Sequence, residues 1–138
     1  MKNPLLGTWK LNVDKSVAEP GPLVRSESRV YEATADDGLK FFVEGIDASG
    51  TAYSYGTTGK VDGRDCPLIG TGTRNGADST SWMQVDSRTV DSSVKKAGNV
   101  VNQVRLEISK DGKVLTLRER GSNPIGVATR GVRTYDRQ

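Results

Sequence analysis

Polar and apolar residues alternate along short stretches of this chain with a repeat of two. Val100, Val104, Leu106 and Ile108 share a face with Asn102, while Gln103, Arg105 and Glu107 share the other. Leu39, Phe41 and Val43 oppose Lys40 and Glu44, and Leu115 and Leu117 oppose Thr116 and Arg118. Such a repeat marks strands with one face on a core and the other in water. No window keeps a helical period. The pattern predicts strands over residues 7–13, 23–33, 39–46, 51–58, 79–85, 89–95, 100–109, 114–120 and 127–135. Asp37-Gly38, Ser49-Gly50, Asp62-Gly63, Asn75-Gly76, Gly98-Asn99 and Asp111-Gly112 punctuate them as turn signals, because these residues accept positive φ cheaply. Short strands at this spacing indicate a sandwich or barrel rather than βαβ units.

Two segments break the rhythm. Residues 14–22 carry Pro20-Gly21-Pro22 and read as a long loop between the first two strands. Residues 61–78 read as a weak strand with a turn at each end, or as an extended loop. No repeat or linker divides the chain, so residues 1–138 are expected to form one domain. A hydrophobic fraction of 34% and 16 glycines fit many half-buried strands and frequent turns.

Composition narrows the chemistry. The net charge of +3 comes from scattered residues, with Lys95-Lys96 and Arg118-Glu119-Arg120 the densest spots. No one-sided basic stripe with interleaved aromatics is present, so no nucleic-acid partner is expected. Neither is a membrane partner, since no apolar run is long enough to span one. The chain has no histidine, which removes the commonest general base and metal ligand; no metal and no cofactor are expected. Cys66 is the sole cysteine and reads as a buried inert thiol rather than a nucleophile. Gly70-Thr71-Gly72-Thr73 lacks the lysine and helix of a phosphate loop. The first strand begins almost at once without an apolar leader. The expected location is therefore cytoplasmic, or periplasmic or secreted where a leader has been removed.

The opening Gly7-Thr8-Trp9-Lys10-Leu11 followed by an antiparallel meander resembles the lipocalin and fatty-acid-binding-protein superfamily, the calycins. More narrowly, Gly7 to Ser16, the Pro-Gly-Pro loop and the ending Tyr135-Asp136-Arg137 resemble small bacterial lipocalin-like proteins. The resemblance implies an all-β, antiparallel up-and-down barrel of about eight strands with an internal cavity. It further implies that Gly7 and Trp9 close one end, with Arg130 or Arg133 packed across the tryptophan, and Arg130 is the residue expected there. The chain has neither the lipocalin disulfide nor a clear helix after the last strands.

Small polar residues on inferred inward faces, Ser26, Ser28, Ser92 and Asn102, suggest a wet or liganded interior, since unpartnered buried hydroxyls and amides are costly. Tyr53 and Tyr55, two apart on one strand, would line it together. Phe41 is expected inward and Phe42 outward, and one of Trp82 and Met83 must face out. The expected function is binding of a small, partly apolar molecule by Tyr53, Tyr55, Phe41, Ser28, Asn102 and Trp82. One alternative is a cofactor-independent isomerase, cyclase or lyase, with Glu119 and Tyr53 or Tyr55 as acid–base groups and Arg130 holding an anion. Another is a filled barrel used as an interaction domain through a patch near Trp82 or Phe42. Open edges at the first and last strands would permit a homodimer.

Overall fold

A computed structural model describes residues 3–73, 76–123 and 125–138. The described residues form eleven strands and no α-helix: β1 (Gly7–Glu19), β2 (Ser26–Ala33), β3 (Leu39–Ile46), β4 (Ala52–Gly59), β5 (Cys66–Pro67), β6 (Ile69–Thr71), β7 (Ser79–Asp86), β8 (Thr89–Lys96), β9 (Asn99–Ile108), β10 (Val114–Ser122) and β11 (Ala128–Arg137). All nine runs read from the alternation are strands. The Asn75-Gly76 turn signal falls partly outside the described residues, at Asn75.

The strands make a single antiparallel sheet in the order β5-β7-β8-β9-β10-β11-β1-β2-β3-β4-β6. Every long strand pairs with its sequence neighbour except where β1 meets β11, and that pairing curls the meander into a nearly closed barrel. The first and last strands are therefore joined, not open; the edges are β5 and β6. The chain itself crosses from one edge to the other within residues 66–71, which explains why this segment yields two short strands and a count above eight. Cys66 is buried there, and a Cβ placed on Gly59 of β4 would meet its Sγ at 2.1 Å, so glycine lets the two edges approach. Burial pushes the Cys66 thiol up, which keeps it in the unreactive form.

β1 corrects one expectation. It continues to Glu19 where a loop was predicted from residue 14. Asn12 pairs with Thr134, but the next partner is Val17 with Val132, so β1 bulges and then re-enters the ladder. Ser16 fixes the bulge: its hydroxyl donates to the Asn12 carbonyl at 2.7 Å and accepts from the Thr134 amide at 3.0 Å. Pro20, which has no amide hydrogen, follows immediately after the strand ends.

Inside, Trp9, Leu11, Tyr31, Leu39, Phe41, Val43, Trp82, Val90, Leu106, Ile108, Leu115, Leu117 and Tyr135 form the core with Leu5. Phe41 and Trp82 meet edge to face across the barrel at 5.8 Å. Phe42 and Met83 face out, as alternation requires once Phe41 and Trp82 face in.

Candidate functional site

One end of the barrel is sealed around Trp9. Its indole Nε1 donates to the Leu5 carbonyl at 2.9 Å, and both side chains are fully buried. The cation across the ring is Arg137, whose Cζ lies 4.1 Å from the ring centre. Arg137 also donates to the carbonyls of Pro4, Leu6 and Gly112, each at 2.6 Å. Gly7 has φ +131°, and a Cβ there would meet an Arg137 nitrogen at 2.5 Å, so this glycine makes room for the arginine. The expected Arg130 is not the partner. It is exposed on the outer face, pairs in register with Glu19, and forms a surface ion pair with it at 3.3 Å. The ladder puts Arg137 directly opposite Trp9, and Arg130 lies seven residues too early, an odd number that puts it on the wrong face.

Above this plug lies a cavity of about 280 Å³. Phe41, Tyr53, Tyr55, Trp82, Asn102 and Glu119 all line it. Tyr53 and Tyr55 stack at 6.2 Å, and Tyr55 meets Phe41 edge to face at 6.1 Å, giving a continuous aromatic wall. The cavity extends to loop residues Val24, Asp47, Gly72 and Thr73, at the end opposite Trp9. Ser92 is inward and buried as expected, sharing a 2.8 Å hydrogen bond with Thr80.

Ser28 does not belong to this set. On β2 the buried positions are Glu27, Arg29 and Tyr31, while Ser26 and Ser28 sit on the outer face. The expected phase of β2 was off by one residue, which turns every side chain over. The ladder explains the true phase: Arg29 lies directly opposite Trp9, and antiparallel partners share a face.

This phase builds a polar cluster that alternation did not predict. The Glu27 carboxylate accepts from Arg29 Nε at 2.8 Å, Arg133 Nη1 at 3.1 Å and the Tyr53 hydroxyl at 2.7 Å. The Tyr135 hydroxyl donates to the same group. Arg29 also reaches the Tyr31 hydroxyl at 3.3 Å and lies over the rings of Phe41 and Tyr135. Desolvation would raise the Glu27 carboxyl, but Arg29 and Arg133, helped by the two tyrosine hydroxyls, outweigh it and hold the pKa at about 2. Burial pushes the Tyr31, Tyr53 and Tyr135 hydroxyls up. Burial opposes charge on Arg29 and Arg133, yet their anionic and phenolic surroundings raise both.

The edge of this cluster is less complete. Glu119 lies 3.9 Å from Arg133 Nη2 and accepts from Asn102 at 3.4 Å. The arginine near Glu119 is thus Arg133; Arg130, on the outer face, does not reach the interior. Arg133 lines the cavity, and its Nε is buried with no hydrogen-bond partner. Most buried donors are satisfied, so an orphan nitrogen on a residue that lines a cavity marks that residue for a role beyond packing. Among the described residues no cluster of side chains has the makings of a metal site.

No family model matches the chain, and no curated protein is significantly similar to it. Solved structures do share its architecture. The wild-type fluorescent protein UnaG superposes with a TM-score of 0.65 at 13% identity, over 100% of both chains. A redesigned β-barrel gives 0.53 at 15% identity, covering 98% of this chain and 92% of that one. Another redesigned barrel, mFAP1 bound to DFHBI, gives 0.51 at 12% identity, over 97% and 95%. At such identities the likeness establishes a shared barrel fold.

Proposed function

We propose that the barrel binds a small, partly apolar molecule in its interior, as a member of the calycin group. The observation that carries this reading is the cavity itself: an aromatic wall of Phe41, Tyr55 and Trp82 shares the space with Arg133, whose buried Nε has no partner within the protein. Apolar walls with a few placed polar groups are the usual make-up of a ligand site. At about 280 Å³ the space sits at the small end of such sites, roughly 300–1,000 Å³, which favours a compact ligand over a long lipid. A redesigned barrel of similar fold, mFAP1, is bound to DFHBI, which agrees with small-molecule binding by such a barrel.

Catalysis is a weaker reading for the same cluster. General acid–base groups work best with pKa values near the working pH. Glu27 is held at about 2 and Tyr53 is pushed up, so neither exchanges a proton readily near neutrality. A filled barrel is disfavoured by the cavity, and Trp82 is buried rather than part of an outer patch.

Native mass spectrometry after incubation with a metabolite extract tests the proposal. A discrete adduct that weakens in Tyr55→Ala and Asn102→Leu is the expected result. An adduct indifferent to both substitutions would remove the pocket assignment, and no adduct from a broad extract would remove binding itself.

A further inference from the structure

Two arginines on one cavity wall would ordinarily draw an anion, since the guanidinium fork matches a carboxylate or phosphate. Here that position is already taken. Glu27 is part of the chain, is 2% exposed, and accepts from Arg29, Arg133, Tyr53 and Tyr135. Four donors match the lone-pair capacity of one carboxylate, so Glu27 has no room for a ligand donor. A second carboxylate, Glu119, faces Arg133 from the other side at 3.9 Å. Arg29 and Arg133 are thereby offset by Glu27 and Glu119. An entering anion would give up its hydration without gaining a net attraction, which is the losing case for a buried charge.

What remains available is a direction rather than a charge. Arg133 lines the cavity together with the aromatic wall, and its buried Nε is a donor with no partner within the protein. It suits a neutral acceptor such as a carbonyl oxygen, which costs far less to desolvate than an ion. Building on the binding reading above, we infer that the ligand is an uncharged molecule presenting a carbonyl-type acceptor to Arg133, and that Glu27 is the residue that excludes anions.

A matched dye pair tests this: diethylaminocoumarin carboxamide and diethylaminocoumarin carboxylate share a flat body and a ring carbonyl and differ in charge. Fluorescence titration of the full chain at neutral pH should show the carboxamide bound about tenfold tighter or more. Glu27→Gln should reverse the order by leaving two arginines against one carboxylate, Glu119. Glu119→Gln, at the less buried edge of the cluster, should shift the ratio the same way by a smaller factor, and it decides the matter if Glu27→Gln does not fold. Equal binding of both dyes by the unmodified chain would overturn the inference while leaving the binding proposal standing. So would a ratio that stays put in the folded variants. Failure of every form to bind either dye would sink the binding proposal, and the charge inference with it.

Discussion

Both ends of the barrel hold arginine, half-buried at the sealed end and buried on the cavity wall, but they satisfy it differently. At the sealed end Arg137 gives its hydrogens to three backbone carbonyls and lies on the Trp9 ring. On the cavity wall Arg29 and Arg133 share the Glu27 carboxylate, and Arg29 also donates to the Tyr135 and Tyr31 hydroxyls. Backbone acceptors are fixed by the fold and cannot be exchanged without moving the chain. A side-chain carboxylate is a separate choice of the sequence, and replacing it changes the charge of the cavity without changing the ladder. The first arrangement is a closure and the second sets the character of a site.

The strongest way to break this contrast is to remove the shared carboxylate. Glu27→Leu leaves Arg29 without a carboxylate and Arg133 with only Glu119 at 3.9 Å, and should cost about 3–5 kcal/mol in denaturant melts. Replacing Arg29 and Arg133 by Met in the same chain should return most of that loss, because a buried ion cluster exchanged for apolar groups is often neutral. If the triple variant is no more stable than Glu27→Leu alone, the cluster is not a self-contained unit. At the sealed end Arg137→Met should cost less, about 1–3 kcal/mol, because it orphans backbone carbonyls rather than charges. No second substitution should rescue it, since its partners are backbone atoms.

Acid should separate the two regions next. The folded Glu27 pKa of about 2 lies below the usual value of 4.5. A lowered carboxyl gives stability that is fully present above the unfolded pKa and is lost as pH falls through the folded one. The stability gap between the unmodified chain and Glu27→Gln should therefore narrow as pH drops from about 4.5 toward 2. Urea melts along that range check it, and a constant gap would mean that Glu27 carries no such linkage. The corresponding gap for Arg137→Met should stay flat, because its acceptors do not titrate.

How much of this was readable beforehand follows from the same contrast. The strands, their turns and the inward phase of β3, β9 and β10 were legible because apolar residues there occupy one parity and charged residues the other. β2 offers no such bias: Glu27, Arg29 and Tyr31 are as polar as Ser26, Ser28 and Val30. Its phase is set by the pairing of Trp9 with Arg29, a long-range fact that no local pattern contains. Opposite charges and a tyrosine at i, i+2 and i+4, matched by Arg133 and Tyr135 on β11, were the available hint. Arg137 was missed for a related reason. Choosing among the arginines of β11 requires the register against β1, and the bulge after Asn12 shifts that register. The extension of β1 to Glu19 was hidden behind the same irregularity.

The finest distinction lies within the cluster, between its two tyrosine donors. Tyr135 is fully buried, and its hydroxyl serves Glu27 while accepting from Arg29 at 3.0 Å. Tyr53 is only partly buried and stands on the cavity wall. In Tyr53→Phe, solvent admitted through the cavity can supply the donor that the carboxylate loses, so the cost should stay near 0.5–1 kcal/mol. In Tyr135→Phe no solvent reaches the position, and both Glu27 and Arg29 lose a partner, so the cost should be about 1–3 kcal/mol. Thermal or urea melts of the two variants give the comparison directly. Equal losses would mean that the cavity does not reach Glu27 in solution, and the carboxylate would then be part of the packed core rather than of the ligand wall.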